Sequence, residues 1–336
     1  MNGTVLVTGA GGFVGSAVVR LFVKSLGGGT PPKFSDGTPV KRLVALLRPG
    51  GSLERLQEIP GTGDWSIESA DMTNRSEFRS LLGRVRPRAV LHLALDRAAY
   101  CDLPEAESSR VNIAPLETIF DGLVGVPGAR VIHTGSAWIL QAGERLDENT
   151  RIEARSVFTE NKARVDRLLP TLHEKTGVNW INLRLFNIFG KYESASRLLP
   201  YLVLSLSRGK VAELSHGDQI RDFNDVEVIA RAYWLALQAD ESACGNVYHV
   251  GSGRGMSVRD FAATVAEVTG NAGLIRFGVR KTPDQELHCL VADPTRTQRI
   301  LHWSPAPDLE LCIRRAAEWW IERSFLLTIR NSKKGE

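Results

Sequence analysis

Short apolar runs alternate with longer helix-forming segments through the first half of the chain. Apolar runs of this length predict strands. They lie at Thr4–Thr8, Leu43–Leu47, Ser66–Glu68, Ala89–Ala94, Arg130–Thr134 and Trp180–Leu185, the last after a helix that begins near Ser156. Because strands that alternate with helices form parallel sheets covered on both faces, the pattern predicts an α/β fold with a doubly wound parallel sheet.

The strict alternation ends near Lys191, where loops rich in Pro, Gly and Arg separate helical patterns such as Val226–Gln238 and Val258–Thr269. We therefore expect a first domain over residues 1–190, to which a segment near residues 220–252 returns. A smaller, intergrown C-terminal portion is expected over residues 191–336. The stretch Gly27–Pro39 is too rich in Gly and Pro to continue a helix, and it predicts an exposed loop.

The composition is that of an ordinary globular protein, with 43% hydrophobic and 24% charged residues among 336. The net charge of +4 comes without a dense basic block outside the last few residues, so we expect no nucleic-acid partner. The four scattered cysteines predict reduced thiols and no metal site. Without a signal-peptide pattern or an apolar run near the ~20 residues that span a bilayer, we expect no membrane partner and a cytoplasmic location.

A glycine-rich turn follows the first predicted strand. It places Gly9, Gly12 and Gly15 between that strand and the start of a helix that begins near Phe13 and Val14. Such a turn lets backbone N–H groups and the positive end of the helix face a pyrophosphate. The loop therefore predicts a Rossmann-like, dinucleotide-binding first domain.

With these glycines the chain resembles the extended short-chain dehydrogenase/reductase family, whose members have a G-x-x-G-x-x-G loop at this place. The resemblance covers nearly the whole chain. Its other marks, in chain order, are Asp71-Met72, His92-Leu93-Ala94, Val111-Asn112, Arg184-Leu185-Phe186-Asn187, Arg221-Asp222-Phe223, Val250-Gly251-Ser252-Gly253 and Leu301-His302-Trp303-Ser304-Pro305.

The end of the second strand selects between the two nicotinamide cofactors, because a carboxylate there binds the ribose 2′-hydroxyl whereas a cation accommodates a 2′-phosphate. Arg48 occupies this place, which favours NADP(H) over NAD(H). The resemblance implies that Asp71 and Met72 lie at the adenine. It also implies cofactor contacts for Leu93, Ala94 and Leu95.

The family uses Ser or Thr, a Tyr, and a Lys four residues after the Tyr. Ser136 and Lys162 match, and Asn112 matches a fourth member that holds a water at a break in its helix. The Tyr position contains Phe158. Because Phe has no ionisable proton, it cannot act as a general acid.

Three explanations for Phe158 remain open. The first is a deliberate Tyr-to-Phe change that traps a substrate. The second is an enzyme that uses another donor, for which the candidates are Ser136, Tyr100, Cys101, Tyr192 or a water. The third is a cofactor-binding protein without turnover.

The substrate side of the resemblance implies a nucleotide-linked sugar. Arg221 and Arg280 match guanidinium groups that bind a diphosphate, a task that suits the always-charged Arg. Asn187 matches a residue near the diphosphate, Arg197 and Leu198 begin the substrate-covering segment, and Trp138 is expected either to line the sugar pocket or to fill the core between the two portions.

Sugar 4,6-dehydratases of the family have an acidic pair after their Ser or Thr, where this chain has Ala137 and Trp138. This difference disfavours a dehydratase. The segment from Phe186 to Pro200 resembles that of reductases that act on 4-keto deoxysugars, so we expect a ketoreductase of a nucleotide-linked sugar, with an epimerase as the alternative. The resemblance also implies a homodimer formed through the helices that contain Asn112 and Lys162.

Overall fold

The computed structural model describes residues 3–59, 61–95, 105–283 and 286–332, and for residues 105–106 and 325–332 only the backbone. The strands are β1 (Thr4–Thr8), β2 (Arg42–Leu47), β3 (Trp65–Ser69), β4 (Ala89–His92), β5 (Arg130–Ser136), β6 (Gly143–Leu146), β7 (Asn179–Leu185), β8 (Asn187–Phe189), β9 (Ala212–Glu213), β10 (Ile220–Arg221), β11 (Phe223–Asp225), β12 (Asn246–Val250), β13 (Met256–Ser257), β14 (Ile275–Arg276) and β15 (Cys289–Ala292). The helices are α1 (Phe13–Leu26), α2 (Arg75–Val85), α3 (Glu105–Asn112), α4 (Ala114–Leu123), α5 (Val157–Thr176), α6 (Leu198–Leu206), α7 (Val226–Gln238), α8 (Val258–Thr269), α9 (Thr295–Leu301) and α10 (Leu309–Ser332).

Seven strands form one parallel sheet in the order β12-β7-β5-β4-β1-β2-β3. One apolar core joins this sheet to α1 and α7, and a second core joins its other face to α2, α4 and α5. The predicted α/β fold with a doubly wound parallel sheet is thus confirmed. The strand order reverses between β1 and β4, which is where ligands bind in sheets of this kind.

The C-terminal portion has a separate core, formed mainly by α6, α8 and α10. A four-stranded sheet, β13-β10-β15-β6, lies between the two portions, because β6 comes from the first and β15 from the second. The helices predicted at Val226–Gln238 and Val258–Thr269 are those observed as α7 and α8. Among the described residues no helix is both long and apolar enough to cross a membrane.

Two local predictions need correction. The strand predicted over Ala89–Ala94 ends at His92, because the Ala94 N–H donates to the Thr8 side chain instead of to a neighbouring strand. The loop Gly27–Pro39 is not exposed throughout. Phe34 is buried beneath the guanidinium of Arg88, so this loop closes part of the core.

Candidate active site

The first glycine of the loop sits where the sheet order reverses. Gly9 has φ +67°, a conformation that disfavours side chains, and a Cβ added to it would lie 2.6 Å from the backbone N of Ala94. The Thr8 hydroxyl, which forms a hydrogen bond with His92 Nδ1 at 2.8 Å, holds β1 and β4 together at this point. The ends of the two strands and the loop therefore form one close-packed unit.

The other two glycines bring the loop against the start of α1. A Cβ on Gly15 would overlap the carbonyl oxygen of Gly9, and one on Gly12 would lie 3.0 Å from the same atom. Gly12 is the N-cap and has no side chain to bind the first N–H groups of α1, those of Phe13 and Val14. Unoccupied N–H donors at a helix N-terminus suit an anion such as a pyrophosphate.

The residues predicted around the adenosine half of a cofactor follow the ends of β2, β3 and β4. The exposed side chain of Arg48 has no hydrogen bond or ion pair with any described residue. Asp71 Oδ1 accepts hydrogen bonds from the Thr73 backbone and hydroxyl, which lower the pKa of Asp71. Met72 packs at the edge of the second core, while Leu93 and Leu95 are half-buried. Their contacts with a cofactor stay predictions.

Ser136 and Lys162 are brought together at the end of β5. Ser136 is the last residue of that strand, and its buried hydroxyl accepts the Trp138 N–H at 3.3 Å. Lys162 Nζ donates to the carbonyl oxygen of Thr134, two residues before Ser136, at 2.6 Å. Ser156 begins α5 with a capping box, so Lys162 lies in the second turn of that helix.

Lys162 is a buried cation whose surroundings favour loss of its proton. Burial lowers the pKa of Lys162 to about 8, and the Asp166 carboxylate, one helical turn later, opposes this shift. The opposition is limited because Asp166 is itself held by Arg184, with Oδ2 at 2.5 Å from Nη2, and by Asn182. Lys162 is therefore charged near neutral pH and titrates just above it.

Two histidines on the neighbouring strands β4 and β5 are completely enclosed. Burial lowers the pKa of His92 to about 3 and that of His133 well below its ordinary value, and the nearby Lys162 charge lowers both further. His133 Nδ1 forms a hydrogen bond with Asn182 Oδ1 at 2.9 Å. Both imidazoles are neutral near pH 7, which leaves Lys162 as the cation beside Thr134.

Phe158 is one helical turn before Lys162 and is buried, with 8% of its surface exposed. Among the other proton donors considered from the sequence, Ser136 lies at this site. The Tyr192 hydroxyl is instead engaged as a donor to the Glu58 carboxylate. Tyr100 and Cys101 lie outside the described residues.

Asn112 is the last residue of α3, and the helix breaks at Ile113 before α4 begins. Its Nδ2 is 3.4 Å from the hydroxyl of Ser108, which also accepts a short hydrogen bond from Asn161. The polar contact between α3 and α5 was not found in the sequence. The only feature of the sequence that could have indicated this contact is that Asn161 directly precedes Lys162.

On the substrate side, Arg221 is buried and already paired. Its guanidinium is 3% exposed, forms a short ion pair with Glu286, and lies over the Trp138 ring at 5.4 Å from its centroid. Burial lowers the pKa of Arg221, and Glu286 opposes this. An anion that binds here has to share or replace the Glu286 carboxylate.

The second predicted arginine, Arg280, has a different environment. It is exposed and its guanidinium stacks on the ring of Tyr201 at 4.4 Å from the centroid. Asn187, by contrast, has a buried Oδ1 without a hydrogen-bond partner among the described residues.

The segment between β8 and α6 contributes a carboxyl group that the sequence did not single out as functional. Glu193 is 6% exposed, one of its oxygens has no partner among the described residues, and burial raises its pKa to about 7. Its other oxygen is 3.6 Å from Nε of Arg197, the N-cap residue of α6. Leu198 begins that helix and is half-buried.

Comparisons with known proteins identify the family of the chain. Residues 5–251 match the NAD dependent epimerase/dehydratase family. A dTDP-glucose 4,6-dehydratase from Salmonella typhimurium is 26% identical over 360 residues, which cover 98% of this chain and 96% of the relative.

Solved structures share the fold. UDP-glucose 4-epimerase from Thermotoga maritima, solved with UDP-glucose, has a TM-score of 0.80 at 19% identity and covers 95% of this chain and 99% of its own. dTDP-glucose 4,6-dehydratase from Bacillus anthracis, solved with NAD, has a TM-score of 0.80 at 17% identity and covers 95% of this chain and 96% of its own. The chain belongs to the NAD-dependent epimerase/dehydratase family, a family of extended short-chain dehydrogenase/reductase enzymes of nucleotide-linked sugars.

Proposed function

We propose that this chain is an NADP(H)-dependent oxidoreductase that acts on a nucleotide-linked keto sugar and takes its catalytic proton from a group other than residue 158. The observation on which the proposal mainly rests is the arrangement at the end of β5. Ser136 and Lys162 lie there together, with Phe158 one turn away. Of the hydroxyl, tyrosine and lysine that the family uses, this chain thus keeps the hydroxyl of Ser136 and the cation of Lys162, and it lacks the tyrosine.

The glycine loop, residues 9–15, fits the phosphate part of the cofactor, because Gly12 and Gly15 let it lie close against the start of α1 and Gly9 lets it approach the end of β4. The bound nicotinamide would supply the hydride. Arg48 is the group proposed to favour NADP(H), since an exposed guanidinium without a partner among the described residues is available for a 2′-phosphate.

At the substrate carbonyl, the proposed tasks of this chain are to hold the oxygen and to provide positive charge. The Ser136 hydroxyl can donate to that oxygen, and Lys162 orients the ribose and makes the surroundings electropositive. Phe158 can supply only apolar surface. In this proposal the proton comes from Ser136, Tyr100, Cys101, Tyr192 or a water, and of these the Tyr192 hydroxyl already donates to Glu58.

The substrate contacts proposed are Trp138, Asn187, Arg197, Leu198, Arg221 and Arg280. A dehydratase is disfavoured although the curated relatives have that name. The residues after Ser136 are Ala137, which is completely buried, and Trp138, so no carboxylate is available there to expel a hydroxyl. A cytoplasmic homodimer that pairs through α3 and α5 completes the proposal.

Deuteride transfer tests the reaction. The chain is incubated with NADPH deuterated at C4 and a panel of nucleotide-linked 4-keto-6-deoxysugars, and mass spectrometry locates the label. We expect the unchanged chain to transfer deuterium to one sugar of the panel, and the Lys162→Met variant to transfer it to no sugar. An epimerase would instead interconvert sugar nucleotides with tightly held cofactor and no net NADPH oxidation, while a binding protein would retain NADPH without any transfer.

Calorimetric titration tests the cofactor preference. We expect NADPH to bind more tightly than NADH, and Arg48→Ala to weaken NADPH binding by about tenfold, since a hydrogen bond to a charged group contributes about 1.5 kcal/mol or more. Arg208→Ala, at another exposed arginine, is the matched control. Equal loss in both variants, or none in either, contradicts the preference.

A further inference from the structure

A turn between β2 and β3 packs directly against the glycine loop. A Cβ added to Gly11, in the middle of that loop, would lie 3.1 Å from the carbonyl oxygen of Ser52. The same turn is fixed to the first core by Leu56, which is 3% exposed. The residues next to the glycine loop on this side therefore have a defined position.

Arg55 in this turn contacts two distant parts of the chain through one guanidinium. Its Nη1 donates to the carbonyl oxygen of Gly11 at 3.2 Å, and its Nε donates to the carbonyl oxygen of Tyr192 at 2.8 Å. Gly11 belongs to the glycine loop, whereas Tyr192 belongs to the segment of residues 190–197 that leads into α6. The guanidinium is planar and rigid, so it fixes the distance between the two carbonyl groups.

The segment of residues 190–197 also has anchors on the C-terminal side. The Trp320 indole N–H donates to the carbonyl oxygen of Gly190 at 3.1 Å, and the Tyr192 ring packs on Trp319 at a centroid distance of 4.6 Å. Tyr192 itself has φ +64°, an unusual conformation for a residue with a side chain. Such a conformation persists only where its surroundings hold it.

The segment contains Arg197, which is one of the proposed substrate contacts, and its ion-pair partner Glu193. Glu193, with its buried oxygen, and Arg197, at the start of α6, follow Tyr192 within five residues. A shift of the Tyr192 backbone thus moves both groups. Among the described residues, the Arg55 side chain donates to both the glycine loop and this segment.

We propose that Arg55 is a positioning residue that couples cofactor binding at the glycine loop to the position of residues 190–197, and so to the substrate side. The inference rests on cofactor binding as proposed above. Once a pyrophosphate fixes the loop, the Gly11 carbonyl fixes the Arg55 guanidinium, which in turn fixes the Tyr192 backbone. Coupling between sites through such a contact is reciprocal, so a substrate that orders the segment also strengthens cofactor binding.

Amide hydrogen exchange measured by mass spectrometry tests this coupling. In the unchanged chain, saturating NADPH without sugar should slow exchange in the glycine loop and in residues 190–197, the latter by about fivefold or more, the lower range of ordinary coupling. In Arg55→Met, which keeps the alkyl part of the side chain, NADPH should slow amide exchange in the glycine loop and leave the exchange rates of residues 190–197 unchanged. Arg55→Gln gives the same comparison if the Met variant does not fold.

Arg323→Met is the matched control. Arg323 lies over the Tyr192 ring at 5.2 Å from its centroid and pairs with Glu58 at 2.7 Å and Glu54 at 3.4 Å, and among the described residues it does not contact the glycine loop. This variant should exchange faster in residues 190–197 with and without NADPH, and keep the cofactor-dependent slowing.

Three results overturn the inference, and the last also overturns the proposed cofactor binding. If NADPH protects residues 190–197 equally in Arg55→Met and in the unchanged chain, the coupling does not pass through Arg55. If NADPH protects only the glycine loop of the unchanged chain, there is no coupling. Absence of protection even in the glycine loop would contradict cofactor binding itself, and the inference with it, which separates the two failures.

Discussion

The cofactor side and the substrate side of this molecule are built in different ways. On the cofactor side the geometry comes from backbone, because Gly9 and Gly15 meet a strand end and a carbonyl group too closely for any side chain, and Gly12 leaves little room for one. On the substrate side it comes from long side chains whose partners lie far away in the chain, as with Arg221 and Glu286.

The difference decides how each side responds to change. A backbone cradle has little freedom, so one added methyl group displaces the loop. Side chains can change partner, and Arg221 is held by a carboxylate at the place where an incoming diphosphate is proposed to bind. We therefore expect the cofactor side to be intolerant of small additions and the substrate side to depend on charge balance.

The largest effect is expected from Gly15→Ala. The new Cβ would overlap the Gly9 carbonyl oxygen, so the loop must open and cofactor binding should fall below detection by calorimetry. Gly83→Ala is the control, because Gly83 lies within α2 with open space around it and the same change there should stabilise the helix by about 0.5–1 kcal/mol. Cofactor binding by Gly15→Ala at the strength of the control would contradict the backbone account.

A smaller effect is expected from Glu286→Gln. The variant leaves the Arg221 guanidinium, which is 3% exposed, without its carboxylate, and loss of one partner of a buried ion pair costs about 3 kcal/mol. Urea denaturation measures this loss in the free energy of unfolding. Arg280→Gln, at an exposed arginine stacked on Tyr201, should change it little. If both variants lose the same free energy of unfolding, the Arg221–Glu286 ion pair stabilises the fold no more than a surface contact does.

The pH dependence of stability should reveal Lys162. Its pKa is about 8 in the folded chain and near 10.5 when exposed, so between these values the unfolded chain binds more protons at this group. The free energy of unfolding should therefore rise with pH from 8 to 10.5, at up to about 1.4 kcal/mol per pH unit for one proton. Lys162→Met should lack this part of the slope. If the free energy of unfolding depends on pH in the same way in both proteins, burial does not lower the pKa of Lys162.

The fold could be predicted because its signals are local. Apolar runs predicted six of the seven strands of the parallel sheet to within about two residues, with β12 missed, and α7 and α8 begin and end where the pattern predicted. The glycine loop was also predictable, since a strand, three glycines and a helix start occupy one short stretch. The end of β4 was missed because it depends on the Thr8 side chain, 86 residues before Ala94.

The substrate side was less predictable because its partners are remote in sequence. Nothing near Arg221 indicates that Glu286 pairs with it, and nothing near Arg280 indicates the Tyr201 ring. Glu193 is an ordinary carboxyl in the sequence, and only the packing around it raises its pKa. The role proposed for Arg55 likewise depends on two carbonyl groups that are remote in sequence, those of Gly11 and Tyr192.

The most direct test of the account is single-turnover oxidation of NADPH by the unchanged chain and by Phe158→Tyr, each with the sugar nucleotide that accepts the label. A proton donor at this place typically contributes about 10²- to 10⁴-fold in rate. We predict that Phe158→Tyr is faster by about 10²-fold or more while its NADPH affinity is unchanged. Equal rates for the two proteins would mean that another acid fully replaces the tyrosine and that the family mechanism does not carry over to this chain. Two inactive proteins that still bind NADPH would contradict the account, because neither would transfer hydride to a sugar.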